Sequence, residues 1–286
     1  MGVDLYNKYP SARDTYNRAV DILKMDIRQI SFEGPLEKLR QTRFTQPAIL
    51  THSLTVLSVL PEVEPVLVAG HSLGEYAALY AARALDFESV LKIVKKRAEM
   101  MDNEGKKSPG TMAAIIGLQR SVVENLCQEV EGIVVPANYN EPKQTVVSGD
   151  VTAVKKVAEL AKEKGAFKVI MLSVSGAFHS PLLEESSLEF TDYLDRFEIH
   201  EPCCPVIPNF TGKPTTDTEV IRSALARQLT NPVRWVKTMA SAQELGCTEF
   251  LEIGPGRVLK GLARRIDREL KVTTVGTVDQ ITELID

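Results

Sequence analysis

Apolar positions over the first sixty residues recur at helical spacing. Leu5, Tyr9, Ala19, Ile22 and Leu23 mark one stripe. It breaks at Pro10-Ser11, where a proline suits the first turn of a new helix. From Thr45 to Leu60 the chain is apolar on nearly every side, which predicts an almost fully buried helix with Pro47 in its first turn. Pro65 to Ala69 is a short apolar run and reads as a buried strand. The run stops at Gly70, and Glu75 to Ala84 are strong helix formers. Strand, sharp turn and helix therefore follow one another with Ser72 at the bend. Asp86 can cap a further helix from Phe87 to Met101.

The pattern then changes. Residues 103 to 110 are polar with glycine and proline and read as a linker. After them, Thr111–Leu118 predicts a strand, Val122–Val130 a helix, Ile133–Asn138 and Gln144–Ser148 two strands, Val151–Lys164 a helix and Phe167–Val174 a strand. This β-α-β-β-α-β order is that of a ferredoxin-like split unit, here inserted between two halves of a larger one. Beyond it, Pro202–Thr211 predicts a short strand, Leu229–Trp235 the restart of a helix, and Phe250–Ile253 a strand before a helix from Val258. Gly254, Gly256 and Gly261 do not fit G-x-G-x-x-G, and Pro255 removes an N–H a phosphate would need. That segment reads as a tight turn.

Composition narrows the classes. The 286 residues are 44% hydrophobic and 25% charged, with a formal net charge of -4. This is an ordinary globular balance that argues against nucleic acid as the main partner. No apolar run reaches the roughly 18 residues of a membrane span, and no signal peptide opens the chain. Cys127, Cys203, Cys204 and Cys247 lack metal-ligand spacing and fit reduced thiols in the cytoplasm. Arg257, Lys260, Arg264, Arg265 and Arg268 read as a solvated face on which an acidic partner could dock.

Three side chains carry candidate chemistry. Gly70-His71-Ser72-Leu73-Gly74 is a G-x-S-x-G elbow, which exposes a serine hydroxyl at a helix start. Its flanking glycines remove side chains where strand and helix crowd together, and the helix start offers N–H groups to a developing oxyanion. The bland alternative is a small-residue turn that contains a serine, but the strand before and helix after are the context an elbow requires. At about 100° per residue, Val90, Val94, Arg97 and Met101 fall on one line. Arg97 therefore points inward, and geometry leaves open whether it meets a core carboxylate or forks onto a substrate carboxylate. Of the four histidines, His52 reads as core, His71 points away from its neighbour Ser72, and His200 lies in a charged segment. His179, in a loop before Pro181, is left as the candidate general base.

Seven ordered blocks make the chain resemble the malonyl-CoA:acyl carrier protein transacylases of fatty acid synthesis. They are residues 45–50 (TQPAIL), 70–76 (GHSLGEY), Arg97 in its helix, 137–140 (ANYN), 176–182 (GAFHSPL), 231–235 (NPVRW) and 254–259 (GPGRVL). The resemblance implies an α/β fold with a parallel-sheet α/β-hydrolase-like core over residues 1–104 and 176–286, and the ferredoxin-like unit over 105–175. It implies Ser72 as nucleophile, His179 as base, and the backbone carbonyl of Gln228 orienting the imidazole in place of an acidic residue. It implies Arg97 on the malonyl carboxylate, the Leu73 N–H on the oxyanion, and Phe178 and Asn140 among the substrate-binding residues, Phe178 favouring malonyl over methylmalonyl. Gly176 departs from the histidine of synthase-type relatives. Malonyl-CoA and acyl carrier protein are the implied partners, with no cofactor, metal, nucleic acid or membrane. Relatives also carry an apolar strand and a Phe-Pro-Gly-Gln-Gly-Ser-Gln block ahead of the residues matching Met1-Gly2. Its glutamine N–H is a second oxyanion donor whose loss costs about 3 kcal/mol, so the native start is expected upstream of Met1. Other functions left open are a serine hydrolase or thioesterase, and a truncated carrier-binding relative with little activity.

Overall fold

The computed structural model describes residues 1–61, 64–174 and 176–285. Ser175, at the expected second domain boundary, lies outside them.

The helix Thr42–Val59 forms the centre of the larger unit, with Leu50, Thr51, His52, Leu54, Thr55 and Val56 all buried. It is apolar around most of its circumference, so it can be wrapped on all sides. Helices Pro10–Leu23 and Phe87–Lys107 pack on it, and Leu23, Leu54, Leu79, Leu91 and Val94 share one core with Phe190 and Leu225.

Two short parallel strand pairs frame the elbow. Val68–Ala69 pairs with Val206–Ile207, and Glu249–Ile253 pairs with Lys271–Val275. An apolar cavity of about 1480 Å³, lined by Leu67, Val68, Phe250 and Leu251 among others, separates them. This explains why the strand expected over 65–69 is regular only at its last two residues. Among the described residues a partner strand is present on one side alone, and Val66 is 71% exposed.

Residues 110–171 form a four-stranded antiparallel sheet. Its order is Val134–Glu141, Gln144–Asp150, Gly110–Ile116, Lys168–Met171. Helices Arg120–Glu129 and Val151–Glu163 cover one face and bury Val123, Leu126, Val154 and Val157 against Ala113, Ile115 and Val147. Gly149 belongs at φ 159° in its strand because an added Cβ would lie 1.9 Å from the Ile133 carbonyl oxygen.

Two expectations are corrected. The helix expected from Thr45 opens at Thr42, which puts Pro47 inside it rather than in its first turn. The predicted linker 103–110 is helical through Lys107. Asp102 and Glu104 are buried despite their charge, and each is hydrogen-bonded. Lys106 donates to Asp102 (2.7 Å), while Ser108 (3.0 Å) and Ser186 (3.1 Å) donate to Glu104. Polar residues that look like a linker thus extend the helix, because their partners are four residues on or across the core.

Candidate active site

The elbow is strained and held from below. Ser72 has φ 50°, a left-handed conformation uncommon outside glycine. Gly70 allows it, because a Cβ there would sit 2.0 Å from the Gly74 carbonyl. Gly74 is different from what the motif suggested, since a Cβ added there meets nothing within 4 Å. Asn209, buried behind the turn, fastens it. Its Oδ1 accepts the Ser72 N–H (2.6 Å) and its Nδ2 donates to the Gly70 carbonyl (2.6 Å). The helix Gly74–Ala81 follows, and the Leu73 N–H at its start has no hydrogen-bond partner among the described residues.

Ser72, His179 and Arg97 converge, although 107 and 25 residues separate the last two from the serine. Ser72 Oγ lies 2.8 Å from His179 Nε2. His179 Nδ1 lies 2.8 Å from the backbone oxygen of Gln228. A carbonyl can only accept, so Nδ1 carries the hydrogen and the Nε2 lone pair faces the hydroxyl. Burial, and then the Arg97 cation, hold the His179 imidazole down at about 3, which keeps it neutral. This is the protonation state in which an imidazole can take a hydroxyl proton.

Arg97 is 1% exposed, yet its hydrogen bonds all go to neutral acceptors. Nε (3.2 Å) and Nη2 (3.0 Å) donate to Gln228 Oε1, Nη1 donates to Gln46 Oε1 (2.5 Å), and Nη2 also donates to Ser72 Oγ (3.1 Å). Among the described residues no carboxylate lies within ion-pair distance of it. Burial lowers its pKa while Tyr76 and Glu75 oppose that shift. A desolvated cation with no carboxylate in contact, one hydrogen bond from a serine oxygen, attracts an anionic group on whatever that serine carries.

A match to the acyl transferase domain family spans residues 1–280. This chain belongs to that family. Among acyl transferases it is 38% identical over 284 residues to the malonyl CoA-acyl carrier protein transacylase of Staphylococcus aureus (strain MRSA252), covering 98% of this chain and 92% of the relative. It superposes on the crystal structure of MCAT from Streptococcus pneumoniae with a TM-score of 0.94 at 38% identity, covering 100% of this chain and 94% of that one. A malonyl-transacylase in complex with its type II PKS acyl-carrier protein superposes with a TM-score of 0.93 at 36% identity, covering 99% and 93%.

The remaining expected residues fall around this acyl transferase site. Phe178 is half-buried and packs beside Met112 and Ala114. Asn140 meets neither Ser72 nor Arg97. Its Oδ1 lies 2.8 Å from His71 Nε2, and its Nδ2 donates to Gln144. It therefore ties the antiparallel sheet to the elbow. His52 is buried in its helix, and burial holds it down at about 4. His200 is exposed beside Glu198. Sequence reasoning missed Gln46, Asn209 and the side chain of Gln228. Gln46 left one trace, a polar residue before Pro47 in an otherwise apolar helix.

Proposed function

We propose that this chain transfers the malonyl group of malonyl-CoA to the phosphopantetheine thiol of acyl carrier protein, through a malonyl ester on Ser72, in fatty acid biosynthesis. In the first half, Ser72 Oγ attacks the thioester carbonyl as His179 Nε2 takes its proton. The Leu73 N–H faces the oxygen that becomes negative. The carbon–sulfur bond then breaks, and His179 returns the proton to the CoA thiolate. In the second half, His179 takes the proton of the carrier thiol, its sulfur attacks the ester, and Ser72 leaves with that proton. Arg97 holds the distal carboxylate throughout. No step requires a cofactor.

The observation that carries this reading is the buried Arg97 guanidinium, 3.1 Å from Ser72 Oγ and with no carboxylate within ion-pair distance among the described residues. A hydrolase or thioesterase acting on neutral acyl groups would leave that cation without a purpose. Incubation with radiolabelled malonyl-CoA should place label on Ser72, and carrier protein should chase it off. A folded protein that takes up no label refutes the reading, and net hydrolysis faster than transfer supports the hydrolase instead.

The finer architecture belongs to the same proposal. The parallel pairs around the elbow support an α/β-hydrolase-like core over 1–104 and 176–286. The strand order of the antiparallel sheet supports a ferredoxin-like unit over 105–175, the last turn of the helix Phe87–Lys107 crossing the first boundary. No helix of the described residues is long and apolar enough to cross a membrane. Four free cysteines fit the cytoplasmic setting we propose.

A further inference from the structure

Beneath the elbow lies a carboxylate that the proposed reaction does not use. Glu75 is 1% exposed and sits in the first turn of the elbow helix, facing inward. Its Oε2 accepts two hydrogen bonds, from the Gln228 Nε2 (2.7 Å) and from the Asn209 backbone N–H (3.1 Å). Among the described residues it has no cation within ion-pair distance. A buried carboxylate of this kind is costly to maintain unless its bonds accomplish something.

The side chain of Gln228 shows what they accomplish. Its amide stands between two groups of opposite demand. On the nitrogen side, Nε2 donates to Glu75 and to the Ser72 carbonyl (3.1 Å). On the oxygen side, Oε1 accepts from Arg97 Nε and Nη2. Turned by 180°, the amide would set its N–H groups against the guanidinium N–H groups and its oxygen against the carboxylate. Only one orientation is satisfied at both ends, and the carboxylate is the stronger of the two acceptors that fix it. The plane of the guanidinium follows, because Nε and Nη2 share that one oxygen.

Building on the transfer reaction above, we propose that Glu75 is a positioning residue: through the Gln228 amide it sets the orientation in which Arg97 meets the carboxylate of the acyl group. Glu75 acts by accepting hydrogen bonds, and a glutamine of the same shape retains an acceptor oxygen at that place. Burial pushes the Glu75 carboxyl up to about 7, and the Gln228 and Asn209 N–H groups, and then the Arg97 cation, pull against that rise. The oxygen accepts in either protonation state. The backbone carbonyl of Gln228, which orients His179, is a separate group from the amide. Glu75 also accepts the Asn209 N–H and the amide also holds the Ser72 carbonyl, so part of the loss is common to both acyl groups, and the relay to Arg97 is read in the preference between them.

The test measures kcat/KM for transfer to carrier protein from malonyl-CoA and from acetyl-CoA, in the full chain and in Glu75→Gln, Glu75→Ala and Gln228→Met. Hydrogen bonds to charged groups set the scale, so Glu75→Ala should lower the malonyl-to-acetyl preference about 10- to 100-fold. Gln228→Met should lower it similarly, and adding Glu75→Ala to Gln228→Met should lower it little further. Glu75→Gln should keep the preference within about threefold, below the scale set by those bonds. The proposal is overturned if Glu75→Ala slows both acyl groups alike, if it leaves the preference intact, or if Glu75→Gln loses as much preference as Glu75→Ala. Should Glu75→Ala not fold, Gln228→Met and Glu75→Gln decide: an unchanged preference in the first, or a lost one in the second, overturns it. A wild-type chain that transfers no malonyl fails the reaction itself, which is a different result from an active chain whose preference ignores Glu75.

Discussion

Replacing Arg97 with alanine removes the group that, in the proposed reaction, distinguishes a malonyl from an acetyl chain. Unit charges 4 Å apart in an effective dielectric near 20 attract by about 4 kcal/mol. The alanine leaves a void that water can enter and partly solvate the malonyl carboxylate, so the net loss falls toward about 3 kcal/mol, within the 2 to 5 kcal/mol scale of truncated buried charge pairs. At about 1.4 kcal/mol per tenfold, malonyl transfer should drop 10²- to 10³-fold. Acetyl transfer should hold or rise, because a neutral methyl no longer leaves a buried guanidinium unpartnered. Folding should tolerate the change. It orphans the amide oxygens of Gln46 and Gln228, but it also removes a buried cation with no carboxylate in contact, and the two effects oppose each other. The assay is transfer of radiolabelled malonyl and acetyl groups to the same carrier protein, with hydrolysis counted separately. If both acyl groups slow equally and the preference of the wild type survives, the role given to Arg97 is wrong.

Other predictions rest on separate contacts. Gly70→Ala should abolish acylation of Ser72 and sharply lower Tm, since its Cβ collides with backbone at 2.0 Å, whereas Gly74→Ala should fold with a Tm close to wild type; equal thermal behaviour of the two would contradict the elbow geometry. Asn209→Ala leaves the Ser72 N–H and Gly70 carbonyl unpaired in the interior, and should destabilise the fold by about 2 to 6 kcal/mol in urea titration, from the usual 1 to 3 kcal/mol per orphaned group; a loss below 1 kcal/mol would mean water replaces it. Stability should also depend on acid. His52 and His179 have depressed folded-state values (about 4 and about 3), so the unfolded chain binds their protons first, and stability is lost as pH falls below about 6.5. Glu75, raised to about 7, works in the opposite sense between about 4.5 and 7, because there the folded chain holds a proton that the unfolded chain has released. From pH 6.5 to 4.5 the folding constant should fall by up to about tenfold per pH unit, and Glu75→Gln should steepen that fall. Stability that rises over the same interval would show that the imidazoles are not buried neutral.

The elbow and the inward arginine were legible because each is written locally. A strand, a glycine at the point where strand and helix crowd, and a helix former mark the bend at Ser72, and helical periodicity alone turns Arg97 toward the core. His179 was found by elimination, and its partner could not be seen that way. The group that orients it is a backbone oxygen, which every residue possesses and no side-chain pattern announces. Asn209 and the Gln228 amide were hidden for a related reason. They act across 137 and 156 residues on backbone atoms of the elbow, and nothing in their own neighbourhoods distinguishes them from surface amides. The polar stretch 103–110 reads as a linker, yet the helix runs through Lys107, because polarity is not exposure and Glu104 is buried with partners. The strand at Val68–Ala69 fell short of its apolar run because strand length depends on what lies alongside.

The carbonyl behind His179 has a bearing on why such a site hands its cargo on rather than wasting it. A carboxylate in that position would balance the charge of an imidazolium and make the ring a strong base. A neutral oxygen gives no such balance, and the adjacent guanidinium makes the charged ring costlier still. In the proposed reaction Ser72 is helped by an Arg97 N–H on its oxygen, and the carrier thiol, with an acidity near pKa 8.5, releases its proton easily. Water, near 15.7, receives no comparable help from a base this weak. In the proposed reaction the ester should therefore wait for a sulfur nucleophile, its lifetime against solvent set by how feeble its own catalyst is.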